Sequence, residues 1–195
     1  TEASMKGIRS CILWAVQGNS MDFFKDIVTL EKDLASFRVG GRMEFARDDI
    51  GKLQRKLKDA RQILYLGDNA GEVFFDVPLV KELSEAAAVT YVVKQSPVQN
   101  DITLADLQRF GLMERLPRVI TTGTDTPGVD MSQASTEFKA AFGAADLVLA
   151  KGMGYWETLS ELAAEGKVFY LLKAKCQPVA DSLGVGLDSY VAVLR

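Results

Sequence analysis

Asp68, Asn69 and Glu72 fall within five residues of one another in Ile63-Leu64-Tyr65-Leu66-Gly67-Asp68-Asn69-Ala70-Gly71-Glu72, directly after four apolar or aromatic residues that read as a buried strand. That places them at a strand's carboxyl end, where open α/β sheets hold their ligands. The layout recurs at Asn100-Asp101, at Thr121-Thr122-Gly123-Thr124-Asp125-Thr126-Pro127-Gly128, at Lys151-Gly152-Met153-Gly154 and at Lys173-Ala174-Lys175. Asp68, Asn69 and Asp101 offer two carboxylates and an amide oxygen, the hard donors that Mg²⁺ or Mn²⁺ takes, with water or substrate oxygens completing an octahedron. The turns Thr121-Thr122-Gly123-Thr124, with Asp125 beside it in the same crevice, and Lys151-Gly152-Met153-Gly154 present backbone N–H groups and helix N-termini suited to a phosphate. Lys151, Lys173 or Lys175 would neutralise charge on phosphoryl oxygens. Metal, carboxylates and phosphate cradle together point to metal-assisted phosphoryl transfer to water, with Asp101 or Glu72 as the base and one of these three lysines assisting.

The 195 residues contain no histidine, which removes Ser-His-Asp and Cys-His systems, histidine-held zinc and imidazole acid–base catalysis together. Cys11 and Cys176 are the two cysteines, in no metal-like spacing, and read as reduced thiols of a cytoplasmic protein. Gly152-Met153-Gly154 lacks the third position of a dinucleotide fingerprint, since Glu157 stands there, and there is no P-loop sequence. A net charge of -3 argues against non-specific nucleic-acid binding. No apolar run approaches the ~20 residues of a membrane span.

These groups need a frame that brings them together. Before residue 61 the pattern is helical: Met5 to Val16, Asp26 to Phe37 and Glu44 to Ala60, with a turn at Val39-Gly40-Gly41. Lys52, Arg55, Lys56, Lys58 and Arg61 form a solvated face near a helix end. After residue 61, strands at Ile63–Leu66, Val89–Val93, Arg118–Thr121, Leu147–Ala150 and Val168–Leu172 alternate with helices at Phe74 to Ala87, Thr103 to Phe110, Ser135 to Phe142, Trp156 to Ala164 and Pro178 to Leu183. Ser189–Leu194 reads as an edge strand. The pattern predicts a helical part over 1–61 and, over 62–195, a three-layer α/β/α sandwich on a mostly parallel, Rossmann-like sheet.

Taken singly, each candidate has a plainer explanation. Asp68-Asn69 would serve as a turn or N-cap, Asn100-Asp101 as the cap of the next helix, and Asp125-Thr126-Pro127-Gly128 as a β-turn. Those explanations weaken because they must hold at every loop on one edge of the sheet.

At these residues the sequence resembles the damage-control phosphatase family (DUF89), most closely its short prokaryotic branch. The resemblance rests on Gly18-Asn19-Ser20-Met21-Asp22, Leu66 to Glu72, Asn100-Asp101, Thr121 to Gly128, Ala150 to Gly154 and Leu171 to Cys176, in family order over nearly the whole chain. It implies a metal-dependent phosphohydrolase of small phosphometabolites such as sugar phosphates, damaged or misplaced ones among them. Its divalent ion, Mn²⁺, Mg²⁺, Co²⁺ or Ni²⁺, is held at Asp68, Asn69 and Asp101. It also implies that Asn19 and Asp22 lie near the site and that a lysine at 173 or 175 contacts phosphate. Two departures stand out: family members usually carry a further N-terminal helical segment, and Tyr155-Trp156 follows Gly154 where a smaller or amide residue is expected. The alternative is a non-catalytic module that binds metal and phosphometabolite; a methyltransferase or other nucleotide-cofactor enzyme on a similar sheet is a more distant one.

Overall fold

The computed structural model describes residues 2–19, 43–162 and 166–195. The expected helix over Asp26 to Phe37, the Val39-Gly40-Gly41 turn, Asp22 and residues 163–164 of the expected Trp156 to Ala164 helix lie outside the described residues; that helix runs Met153–Leu159, earlier than expected at both ends. Helix α1 (Glu2–Gly18) comes first, followed by β1 (Phe45–Asp48), α2 (Ile50–Leu57), β2 (Gln62–Leu66), α3 (Val73–Ser84) and β3 (Ala88–Val93). Then come α4 (Leu104–Arg109), β4 (Arg118–Thr121), α5 (Thr136–Ala144), β5 (Leu147–Lys151), α6 (Met153–Leu159), β6 (Val168–Lys173), α7 (Gln177–Leu183) and β7 (Tyr190–Leu194).

The sheet runs β1-β7-β6-β5-β2-β3-β4 and is parallel except where β7 meets β6. Alternation along each strand splits the core in two. Ile63, Tyr65, Tyr91, Val93, Leu149 and Leu171 pack on one face with Ile12, Leu53, Val80 and Leu107. Leu64, Leu66, Val92, Ala150 and Leu172 pack on the other with Phe138, Trp156, Val179 and Leu183. This is the expected α/β/α sandwich, because strands buried on both faces need helices on both. Trp156 sits in that second core, its ring edge-on to Tyr170.

Two expectations are corrected. The Glu44 to Ala60 segment is not one helix: Phe45–Asp48 is a strand, paired parallel to β7, and the helix begins at Ile50. Phe45-Ala46-Arg47-Asp48 has no alternation of its own to set it apart from the amphipathic run behind it, and the β7 ladder decides its conformation. β7 is consequently an interior strand. It runs antiparallel to β6 because Ala174 and Ser189, joined by a backbone hydrogen bond of 2.9 Å, return the chain into the sheet from its carboxyl edge. Lys52, Arg55, Lys58 and Arg61 are exposed, as a solvated face requires.

Candidate active site

Strand register sets the heights of the candidate groups. Leu66 pairs with Val92 on one side and Ala150 on the other, so Asp68, Lys94 and Gly152 emerge level, each two residues further on. The chain runs β2-β3-β4 outward and then returns to β5 on the opposite flank of β2, which makes the β2/β5 boundary the topological switch point. Asp68 lies there against Gly152. Gly152 has φ 86°, and a Cβ on it would strike both Asp68 carboxylate oxygens, so only glycine admits that carboxylate.

Asp101 is delivered by the loop after β3. The Ile102 N–H donates to the Asp68 carbonyl at 2.8 Å, and Ala70 N–H to the Asn100 carbonyl at 2.8 Å. These bonds make a short antiparallel bridge between Asn69 and Asp101. Asp101 does not cap α4: Thr103 does, in a capping box with Asp106, so the plainer explanation of Asn100-Asp101 fails.

Asn19, at the end of α1, is a buried clamp. Its Nδ2 donates to Asp68 Oδ2 at 2.8 Å and Glu72 Oε1 at 2.9 Å, while its Oδ1 accepts from the Lys173 backbone N–H at 2.9 Å. Asn69 Nδ2 donates to Glu72 Oε1 at 2.6 Å and Asp68 Oδ2 at 3.2 Å, so Oδ1 is the Asn69 atom that could ligate a cation. Glu72 is fully buried, and its other oxygen meets Lys151 Nζ at 2.6 Å. Lys151, also fully buried, further contacts Asp76 Oδ1 at 2.7 Å and the Ala15 carbonyl at 2.9 Å. Tyr65 and Tyr91 hydroxyls donate to the two Asp76 oxygens at 2.8 and 2.9 Å. The structure thus puts Lys151 and Glu72 beneath the site, with their polar atoms already engaged.

Thr122 is buried, and its hydroxyl donates to the Thr124 carbonyl at 3.1 Å, shaping the loop after β4; Gly123 is partly exposed there and Asp125 is exposed. The expected Lys151-to-Gly154 cradle shrinks to one turn residue, Gly152, because Lys151 is still in β5 and α6 begins at Met153. The two other lysines separate. Lys173 pairs with Asp188 at 2.8 Å and lies over the Tyr190 ring, whereas Lys175 is near enough to favour the ionised form of Asp68.

Charge dominates the site. Burial and the neighbouring Glu72 and Asp101 carboxylates hold the Asp68 carboxyl well above its ordinary range, against Lys151 and Lys175. Burial raises Asp101 and Asp76 as well, opposed by Lys94 and Lys151 respectively. Burial lowers Lys94, against Asp101 and Asp68. Burial would lower Lys151 too, but Asp76 and Glu72 outweigh it and raise the ammonium. Asp68, Glu72, Asp76 and Asp101 face Lys94 and Lys151 across these contacts, so, fully ionised, the buried cluster carries two surplus negative charges. Among the described residues no three carboxylates or thiols converge as a ready-made metal cage. The available donors are the Asp68 and Asp101 carboxylates and Asn69 Oδ1. Hard oxygens beside two surplus negative charges suit a hard divalent cation.

Lys94 and the Asp76-Tyr65-Tyr91 group belong to this cluster but did not stand out in the sequence; Tyr155, singled out there as a departure from the family pattern, meets Lys94. One signal existed: Asp76 is a charge on the apolar helical stripe Val73, Val77 and Val80. A cleft of about 520 Å³ at the opposite end of β2 and β3, lined by Ile63, Val89, Arg118 and Ala141, contains none of these groups.

A family model described as the damage-control phosphatase ARMT1-like domain matches residues 1–191. A protein of Methanocaldococcus jannaschii is 36% identical over 202 residues, covering 100% of this chain and 65% of that protein. A damage-control phosphatase of Pyrococcus horikoshii is 46% identical over 148 residues, 75% of this chain and 51% of that protein. A damage-control phosphatase of Archaeoglobus fulgidus is 30% identical over 193 residues, 98% of this chain and 66% of that protein. The crystal structure of a DUF89 family protein from Pyrococcus horikoshii matches with a TM-score of 0.84 and 35% identity, over 98% of this chain and 70% of that one. The chain spans between half and two thirds of the length of these curated relatives.

Proposed function

The chain belongs to the damage-control phosphatase ARMT1-like family, and on that premise we propose that it is a metal-dependent phosphohydrolase of small phosphorylated metabolites, sugar phosphates among them. The observation that carries this reading is the cluster at the β2/β5 switch point, where Asp68, Asn69 and Asp101 are pinned together beside Glu72 and Asp76, four carboxyl groups facing the two buried ammoniums of Lys94 and Lys151. Mn²⁺, Mg²⁺, Co²⁺ or Ni²⁺ would be held by Asp68, Asn69 and Asp101. Such an ion supplies Lewis-acid polarisation of a phosphoryl oxygen and acidifies water.

The chain's own groups do the rest. Asn19 and Asn69 hold the Asp68 carboxylate in one orientation, and Glu72 holds both amides. Asp101, partly accessible, is the carboxylate left to orient the attacking water and take its proton, a role for which Glu72 is too thoroughly engaged. Lys175 meets the phosphoryl charge at the rim, with the Thr122-Gly123 backbone opposite. Asp22, outside the described residues, is proposed to join them. Cys11 and Cys176 are free thiols, which suits a cytoplasmic setting, and among the described residues no helix is long and apolar enough to cross a membrane.

The test is phosphate release from para-nitrophenyl phosphate and a sugar-phosphate panel, with EDTA or each of the four metals. Release that one metal restores and Asp68→Ala abolishes in a folded protein supports the reading. Metal binding without release in any condition would instead identify a sensor or carrier.

A further inference from the structure

Lys94 directly follows β3 and is fully buried. Its Nζ lies 3.4 Å from Asp101 Oδ2, donates to the Gly128 carbonyl, and sits 3.4 Å from the Tyr155 hydroxyl and 4.6 Å from that ring's centre. An ammonium has three protons, and these three acceptors account for them. Lys94 therefore has no donor left for a substrate oxygen.

Its acceptors come from two loops and a helix. Asp101 lies on the loop after β3, Gly128 closes the Thr122 loop after β4, and Tyr155 stands in the first turn of α6 after β5. Gly128, at φ 65°, packs so closely on Gly154 that a Cβ would strike the Gly154 carbonyl. The Thr122–Gly128 loop is thus pressed onto α6 from one side and tied to Lys94 from the other. The Gln95 N–H adds a bond to the Thr124 carbonyl at 3.2 Å.

We propose that Lys94 is a positioning residue whose single buried ammonium ties Asp101 to the Thr122–Gly128 loop, fixing the spacing between the metal side and the phosphate side of the site. This rests on the metal-and-phosphate reading above. Because hydrolysis needs the phosphate seated in line with its water, a loop displaced by about 1 Å costs on the order of a hundredfold in rate. The metal side behaves differently. Removing a cation beside Asp101 and Asp68 lowers the electrostatic cost of placing another there.

The test uses Lys94→Met and Lys94→Arg, with Mn²⁺ affinity measured alone and inorganic phosphate affinity measured with Mn²⁺ present, beside kcat and KM. Lys94→Met is expected to bind Mn²⁺ at least as tightly as the wild type. It should bind phosphate about tenfold more weakly and turn over about a hundredfold more slowly. Lys94→Arg, which keeps the charge as a planar fork that cannot meet three acceptors from three directions, should keep Mn²⁺ binding and still lose phosphate affinity. Unchanged phosphate affinity in either variant overturns the inference. So does parallel loss of Mn²⁺ binding, or loss of folding in both, since Lys94 would then only support the framework. A wild-type protein that binds neither Mn²⁺ nor phosphate would overturn the reading of the site itself.

Discussion

Replacing Asp68 with asparagine should stabilise the metal-free protein while removing its function. Asn19 Nδ2 reaches Asp68 at 2.8 Å and Glu72 at 2.9 Å, so the two carboxylate oxygens are within about 6 Å, and at an effective dielectric of ~20 two unit charges at that distance repel by roughly 3 kcal/mol. Part of this is offset by the loss of charge-assisted bonds from Asn19 and Asn69 and of attraction to Lys175. A net gain of roughly 1–2 kcal/mol remains, which for a chain of this length is about 2–8 °C in Tm. The folded-state pKa of Asp68 is raised, so its ionisation penalises folding. The wild type therefore loses stability as pH rises from the unfolded-state value, about 3.9, through the raised folded value, and the advantage of Asp68→Asn grows over that window. Metal reverses the order: ligand at a hundredfold excess over Kd adds about 2.7 kcal/mol to the wild type and far less to the variant. Urea and thermal unfolding of both proteins, in EDTA and in saturating Mn²⁺ from pH 4 to 8, would show the crossover. A variant less stable than the wild type in EDTA at neutral pH would refute the reasoning, as would equal stabilisation of the two by Mn²⁺.

Lys151→Met leaves Glu72 and Asp76 buried without their cation and should cost about 3–5 kcal/mol, read as a lower urea midpoint. Lys175→Ala should lower kcat/KM by about a hundredfold, and Lys173→Ala by far less, because the Lys173 ammonium is paired to Asp188. Steady-state kinetics on one substrate separate the two lysines, and equal losses would disprove the assignment. Gly152→Ala should be inactive at unchanged substrate concentration and destabilised by several kcal/mol, since its Cβ would occupy the Asp68 carboxylate's place at a positive φ. Isothermal titration of this variant with Mn²⁺ should show weakened binding.

The sequence alone determined the layered α/β frame and the edge of the sheet on which the acidic, amide and lysine residues gather. Apolar runs such as Ile63–Leu66 and Val168–Leu172 can be buried on both faces only in a helix-covered parallel sheet, and turn residues after each run must then share one edge. The strand Phe45–Asp48 was not legible, because four residues with one partly buried position carry no period of their own and take their conformation from β7. Nor could the sequence rank the lysines. Lys94, Lys151, Lys173 and Lys175 all follow or end strands, yet tertiary contacts bury two of them on different partners, pair the third with Asp188 and set the fourth near Asp68. A side chain's period shows which face of a strand it leaves from. What its charge meets there depends on groups such as Gly128, Ala15 and Asp76, brought in from loops and helices distant in sequence, and only the folded chain places them.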